Sequence, residues 1–315
     1  MDGLNIGVHI VAANVPGILD RISLAEKAGV DTAWMTCGGA APDPLTVFAA
    51  AARETSTIEF GTCIIPTFPR HPVSLAQEAL VVDQLAPGRL KLGVGPSHKP
   101  AMESVYDFTF DKPLQHLRDY LVILNDLLKT GKVSYHGPRL SAVTQMAAPT
   151  QVRVMASALR PNAFTLCGEL ADGGISWVSP MPYLRDVAVP ALAAGAAKSG
   201  RATPPLVAHV PCVLSQDTAA IRAAAHQQMG FYPRLPFYSA MFVDAGFPEA
   251  AEGKFSDAMA DALVVSGDEE TFATRIRNLK AQGAGEVIAM VLNLPDDRGA
   301  WQRTVEALGA VAREA

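Results

Sequence analysis

Val11-Ala12-Ala13-Asn14-Val15 follows the first apolar run of the chain, Leu4–Val11, and separates two candidate folds. A doubly wound open sheet calls for a Gly-rich turn here, where backbone must close on a phosphate. This stretch has no glycine. Beyond it, strand-like and helix-like segments alternate along the chain. The strand candidates are Leu4–Val11, Thr32–Thr36, Ile58–Cys63, Leu90–Val94, Val152–Ala156, Gly174–Val178, Leu206–Val213 and Glu286–Leu292. Each is short and nearly continuously apolar, as parallel strands covered on both faces are. Leu19, Ile22, Leu24, Ala25 and Ala28 make a helical stripe that stops at Gly29, a usual helix end. Leu75–Leu85 closes at Pro87-Gly88 in the same way, and Leu117–Leu128 ends near Gly131. Strand, helix, strand repeated in this order implies parallel pairing through right-handed crossovers. The expected fold is α/β, a (β/α)8 TIM barrel.

Composition agrees with one such barrel. The 315 residues are 49% apolar and 18% charged, with net charge −5, enough to bury a large core and far from a disordered composition. The length suits a single barrel domain over 1–315. No basic stripe interleaved with aromatics occurs, so no nucleic-acid partner is expected. Cys37, Cys63, Cys167 and Cys212 are scattered without metal-ligand spacing and read as reduced thiols of a cytoplasmic protein. Met1–Asn5 shows no basic-then-apolar leader. The Ala-rich Val187–Ala197, broken by Pro190, is too short to span a bilayer. Two segments exceed the repeat. Lys132–Leu140 reads as a hairpin. The excursion 227–262, rich in Pro, Phe and Tyr, is an insertion before the last strand, suited to a lid over the site or to a packing or dimer contact.

Barrel chemistry sits at the C-terminal ends of the strands. Those ends read Met35-Thr36-Cys37, Cys63-Ile64-Ile65-Pro66, Gly95-Pro96-Ser97-His98, Ala156-Ser157-Ala158 and Ser176-Trp177. They hold no carboxylate pair, no metal set and no nucleophile elbow, which argues against glycosidase and metal-hydrolase chemistry. A small, neutral lining suits a flat ring cofactor that brings its own chemistry. His98 is the candidate proton donor or acceptor, with a solvated loop histidine as the alternative. Ser157–Asn162 leads into a helix at Pro161, capped by Ser157 or Asn162. Its free N–H groups with Arg160 form an anion site for a phosphate-bearing tail, or else an ordinary cap.

Phe60–Pro72, containing Arg70-His71-Pro72, is followed by Gly88-Arg89-Leu90-Lys91-Leu92-Gly93-Val94-Gly95. This pair of elements resembles the luciferase-like monooxygenase superfamily. Gly95–His98 and Pro113–Gly137 are similar to its branch of coenzyme F420-dependent oxidoreductases, as are Gly168–Gly173 and Val264–Glu269. The resemblance implies a homodimeric TIM barrel and a non-prolyl cis peptide at Cys63–Ile64 behind the cofactor ring. It implies cofactor contacts from Thr36, Cys63, Ile64, Gly95, Pro96 and Ser97. Ser157, Ala158 and Leu159 would hold the phosphate-bearing side chain, and Trp177 would lie near the ring or substrate. Relatives that oxidise sugar phosphates or alcohols carry Asp-His or a similar polar pair where this chain has Thr36 and Cys37, and often a glutamate where it has His98. The implied activity is hydride transfer between F420 and a small organic substrate, in the direction of C=C or C=N reduction. The alternatives are an FMN-dependent monooxygenase and a non-catalytic flavin-binding homodimer.

Overall fold

Asn14 caps the first helix: its side chain accepts the Gly17 N–H at 2.9 Å. The loop after the first strand is therefore a capped strand-to-helix turn, with no Gly-rich phosphate turn. The computed structural model describes residues 3–314; Met1 and Asp2, part of the stretch read for a leader, lie outside them. The barrel strands are β1 (Asn5–His9), β2 (Thr32–Met35), β3 (Glu59–Thr62), β4 (Leu90–Gly95), β5 (Arg153–Ser157), β6 (Gly174–Ile175), β7 (Leu206–Val213) and β8 (Ala284–Val291). Each pairs in parallel with its neighbours, and β8 pairs with β1. The two-residue β6 joins β5 to β7 and closes the ring. Outer helices follow the strands: α1 (Val15–Ala28), α2 (Pro44–Ala51), α3 (Pro72–Leu85), α4 (Pro113–Thr130), α5 (Pro161–Leu170), α6 (Val189–Lys198), α7 (Glu269–Ala281) and α8 (Ala300–Glu314). The chain is a closed (β/α)8 barrel, as its alternation predicts.

Three local differences have physical causes. β6 stops at Ile175 instead of Val178 because Val178 turns to φ 45° and gives its N–H to His209 Nδ1 at 3.1 Å. The hairpin runs further than its apolar signal, pairing Lys132–His136 with Ser141–Gln145. Its second arm is mostly exposed, so no apolar run marks it. The excursion expected at 227–262 falls within a helical segment that starts earlier. Thr218–Met229, Pro236–Asp244 and Asp257–Leu263 are its α-helices, all between β7 and α7.

Asp119 of α4 anchors the hairpin. Its fully buried carboxylate accepts the Arg139 and Leu140 N–H groups at 2.7 and 3.1 Å, Tyr135 Oη at 3.0 Å and Gln115 Nε2 at 2.9 Å. Burial pushes its pKa up, but these donors together outweigh burial and hold it below the usual 3.8. A depressed carboxyl contributes stability above its unfolded pKa, lost as pH falls through its folded value. Asp119→Asn puts an NH2 where the carboxylate accepted, and should cost ~1–3 kcal/mol at pH 7. Urea unfolding should show wild type and variant converging below about pH 4; a gap that persists in acid would discard the account.

At the N-terminal end of the barrel, β4 buries Lys91. Its Nζ pairs with Glu286 of β8 and with Glu59 of β3 at 2.8 Å, and donates to Thr32 Oγ1 at 2.9 Å and Asn5 Oδ1 at 3.1 Å. Arg153 of β5 pairs with the other oxygen of Glu59. One cation thus draws together the starts of four strands. Above this layer Trp34 of β2, fully buried, fills the barrel axis.

Candidate active site

A cavity of about 460 Å³ opens at the C-terminal mouth of the barrel. Thr36, Cys63, Ile64, Pro96, Ser97 and His98 line it from the second, third and fourth strand ends. Ser157, Ala158, Leu159 and Trp177 line the opposite side. Gly95 is not on the cavity surface. It lies beneath, where an added Cβ would come within 2.0 Å of Ser157 Oγ and 3.3 Å of Ile64, so glycine lets the β4 end approach both. The peptide Cys63–Ile64 is cis. Ser97, at φ 61°, takes a left-handed conformation uncommon for a side-chain-bearing residue, which sets the backbone before His98.

Among the described lining residues there is no carboxylate, and Arg160 alone carries a fixed charge. Burial lowers the pKa of His98, so it is neutral at pH 7; its ring packs edge-on to Tyr238 at 5.6 Å. Burial likewise pushes the Cys63 thiol well up, so it too is uncharged. Among the described residues no group of His, Cys, Asp and Glu is arranged to hold a metal, and no helix is long and apolar enough to cross a membrane.

The expected cap of α5 is corrected. Arg160 is the N-cap residue and no side chain caps the helix: Ser157 lies three residues too early and Asn162 is already inside the helix. Arg160 instead reaches out with Nη2 to Asp244 at 2.7 Å. Its Nη1 is buried with no protein partner, so a donor is left at the cavity edge where the helix N–H groups also start. Such a pairing of free helix N–H groups with a guanidinium favours an anion.

Two histidines escaped the sequence reading. His209 of β7 stacks on Trp177 with ring centroids 3.7 Å apart. Its Nδ1 accepts the Val178 N–H, which puts the ring proton on Nε2. His9 of β1 meets Trp177 edge-on at 5.6 Å and Thr36 Oγ1 at 3.4 Å. Desolvation pushes His9 down to about 4 and His209 well below its usual value. Both are neutral at pH 7, so the floor under Trp177 is uncharged. A histidine within the apolar run Leu206–Val213 was the available signal.

The excursion adds Tyr232, Phe237 and Tyr238 to the lining, and Trp177 Nε1 donates to Tyr232 Oη at 2.6 Å. Two recognisable motif residues, by contrast, are structural. Arg70 bridges Asp43 at 2.8 Å and Glu78 at 2.6 Å. Arg89 donates to the carbonyls of Ala52, Thr55 and Ile58 and lies over the Phe60 ring.

Residues 5–286 match the luciferase-like monooxygenase family. A 5,10-methylenetetrahydromethanopterin reductase of Methanolobus tindarius is 25% identical over 307 residues, covering 91% of this chain and 94% of that one. An F420-dependent glucose-6-phosphate dehydrogenase of Microbacterium testaceum is 31% identical over 204 residues, 58% of this chain and 59% of its own. Among solved structures, the oxygenating constituent of 3,6-diketocamphane monooxygenase of Pseudomonas putida, in complex with FMN, superposes with a TM-score of 0.75. It is 16% identical, with 99% of both chains covered.

Proposed function

The chain belongs to the luciferase-like monooxygenase family, and from that premise we propose that it is an F420-dependent oxidoreductase. In this reading it reduces an activated C=C or C=N bond of a small organic substrate. The observation that carries it is the lining. The cavity has no carboxylate pair or metal set for hydrolysis, and its floor is neutral, so redox chemistry has to come from a bound cofactor. The residues fit a flat, tailed group. Cys63, Ile64, Pro96 and Ser97 offer a small, uncharged surface for the ring, and Arg160 Nη1 has a free donor for an anionic tail. Ser157, Ala158 and Leu159 line the path between them. When bound, a reduced deazaflavin supplies a hydride. The protein orients substrate against it, excludes water with the Tyr232–Tyr238 segment, and relays a proton through His98. The F420-dependent name of the 31%-identical relative supports the deazaflavin over FMN. Thr36 and Cys37, in place of a polar pair, and a single cation already held by Asp244 weigh against a sugar-phosphate substrate.

Fluorescence titration of the purified protein with F420, and separately with FMN, tests the reading. Micromolar or tighter F420 binding with negligible FMN binding is expected. A preference for FMN would move the protein to oxygen-dependent chemistry and discard the deazaflavin. His98→Ala should lower turnover by ~100-fold, the lower end of general acid–base catalysis, while F420 affinity stays within about twofold. Unchanged turnover removes His98 from the mechanism. A homodimer belongs to the same proposal, and sedimentation equilibrium would read a monomer as its failure.

A further inference from the structure

We propose that the Tyr232 hydroxyl is the hydrogen-bond donor that captures the acceptor atom of the substrate. This confines the site to bonds that end in, or are conjugated to, a carbonyl or imine. The inference rests on the reductase reading above and names its substrate class.

Tyr232 lines the cavity, and its oxygen accepts the Trp177 indole N–H at 2.6 Å. A phenol that accepts one hydrogen bond still has one proton to give. Among the described residues no carbonyl or side chain is placed to take that proton. A buried donor left unpaired is unfavourable, and here the open side is the cavity. Accepting from the indole also polarises the O–H and makes it a better donor. The seat is rigid: the ring stacks on Phe231 at 4.2 Å and leans on Tyr238 at 4.7 Å. Trp177 is itself clamped between Tyr232 and His209, 3.7 Å below. The neighbouring walls, Cys63, Ile64, Ile175 and Phe237, are apolar. Thr36, Ser97, His98, Ser157, Asn162 and Tyr238 are the other polar side chains of the lining, and Tyr232 is set apart from them by the indole N–H that fixes and polarises its oxygen, so the substrate acceptor atom pairs there. Burial pushes the phenol up to about 12, so it acts as a neutral donor at pH 7.

In an enone, the β-carbon gains the hydride from the reduced cofactor, and the C=C π electrons shift toward the carbonyl oxygen. The Tyr232 O–H takes up the growing negative charge there. The α-carbon then receives a proton, relayed from solvent by His98. The substrate gains two electrons and two hydrogens. A bound reduced deazaflavin would supply the two electrons with the hydride, and the one proton left over would pass to solvent. Tyr232 keeps its own proton throughout. Trp177 acts through Tyr232 as a positioning residue.

The test uses para-dimethylaminocinnamaldehyde, an enal whose absorption band moves to longer wavelength when its carbonyl accepts a strong hydrogen bond. It is added to wild type, Tyr232→Phe and Trp177→Phe, each with and without oxidised F420. The wild type should shift the band, Tyr232→Phe should abolish the shift, and Trp177→Phe should reduce it. Tyr232→Phe should also reduce cyclohexenone turnover by ~100-fold, as loss of an oxyanion donor does, with F420 affinity within about twofold. A wild-type band no further shifted than that of Tyr232→Phe overturns the assignment. Failure of the wild type to bind F420 instead defeats the reductase reading, and the probe shift then still decides whether Tyr232 is the donor.

Discussion

Lys91→Met is expected to lower stability by ~3–5 kcal/mol, the cost of leaving buried charge without its partner. The Lys91 side chain is 1% exposed and Glu286 5%, so Glu286 cannot turn to water, whereas Glu59, 24% exposed, keeps Arg153. Methionine fills the stem but supplies no cation. At ~1.5 °C per kcal/mol for a chain of this length, calorimetry should find the midpoint lowered by about 5–8 °C. The pH dependence gives an independent signature. Burial already raises the Glu286 pKa, with Lys91 opposing it. Without Lys91 the folded-state value rises further. A raised carboxyl contributes stability below its unfolded pKa, near 4.5, and loses it as pH rises through the folded value. The variant should therefore gain on wild type as pH is lowered toward 5. Cofactor affinity should stay unchanged, because the network lies at the end of the barrel opposite the cavity. A loss under ~1 kcal/mol would show that Glu286 finds another partner or is readily neutralised.

Trp34→Ala is expected to cost ~3–5 kcal/mol, the range for emptying a buried aromatic site. The indole occupies space that neighbouring strands have vacated. A Cβ at Gly61 would sit 2.3 Å from the ring, and one at Gly7 2.3 Å from Nε1. No side chain at either position can collapse into the hole. Trp34→Phe should cost much less, ~1 kcal/mol, because Nε1 is buried with no hydrogen-bond partner and losing an unsatisfied donor offsets lost packing. Chemical denaturation of both variants checks the pair. Equal losses would mean that ring volume is not what holds the barrel axis. Gly61→Ala, which adds volume against the same indole, should also destabilise, by ~1–3 kcal/mol.

The glycines flanking Trp34 show what kind of information a linear reading misses. Gly7 and Gly61 lie in ordinary strand patterns, and nothing local says that both face one indole from different strands. Lys91 presents the same difficulty within Leu90–Val94. A lysine in an apolar strand reads as a defect until Glu59 and Glu286, from strands distant in the chain, arrive beside it. The mouth residues were more legible. Thr36, Cys63, Pro96, His98, Ser157 and Trp177 each lie at or within a few residues of the end of an apolar run, and parallel closure sends all such ends to one face. Gly95 was legible as a close approach, yet the group approached is Ser157 with Ile64, beneath the cavity surface.

The sequence by itself determined the alternation of strand and helix, hence the barrel, because hydrophobic period and helix stops are local properties. It also determined that the strand ends at the mouth would be mostly small and neutral, since they can be read in order. Only the tertiary structure decided that Tyr232, 55 positions beyond Trp177, completes the cavity wall with a free O–H. It likewise decided that Arg160 divides its guanidinium between Asp244 and the cavity edge. Those pairings depend on where the excursion between β7 and α7 folds back. That return is fixed by side-chain contacts between segments far apart in the chain, which no local pattern encodes.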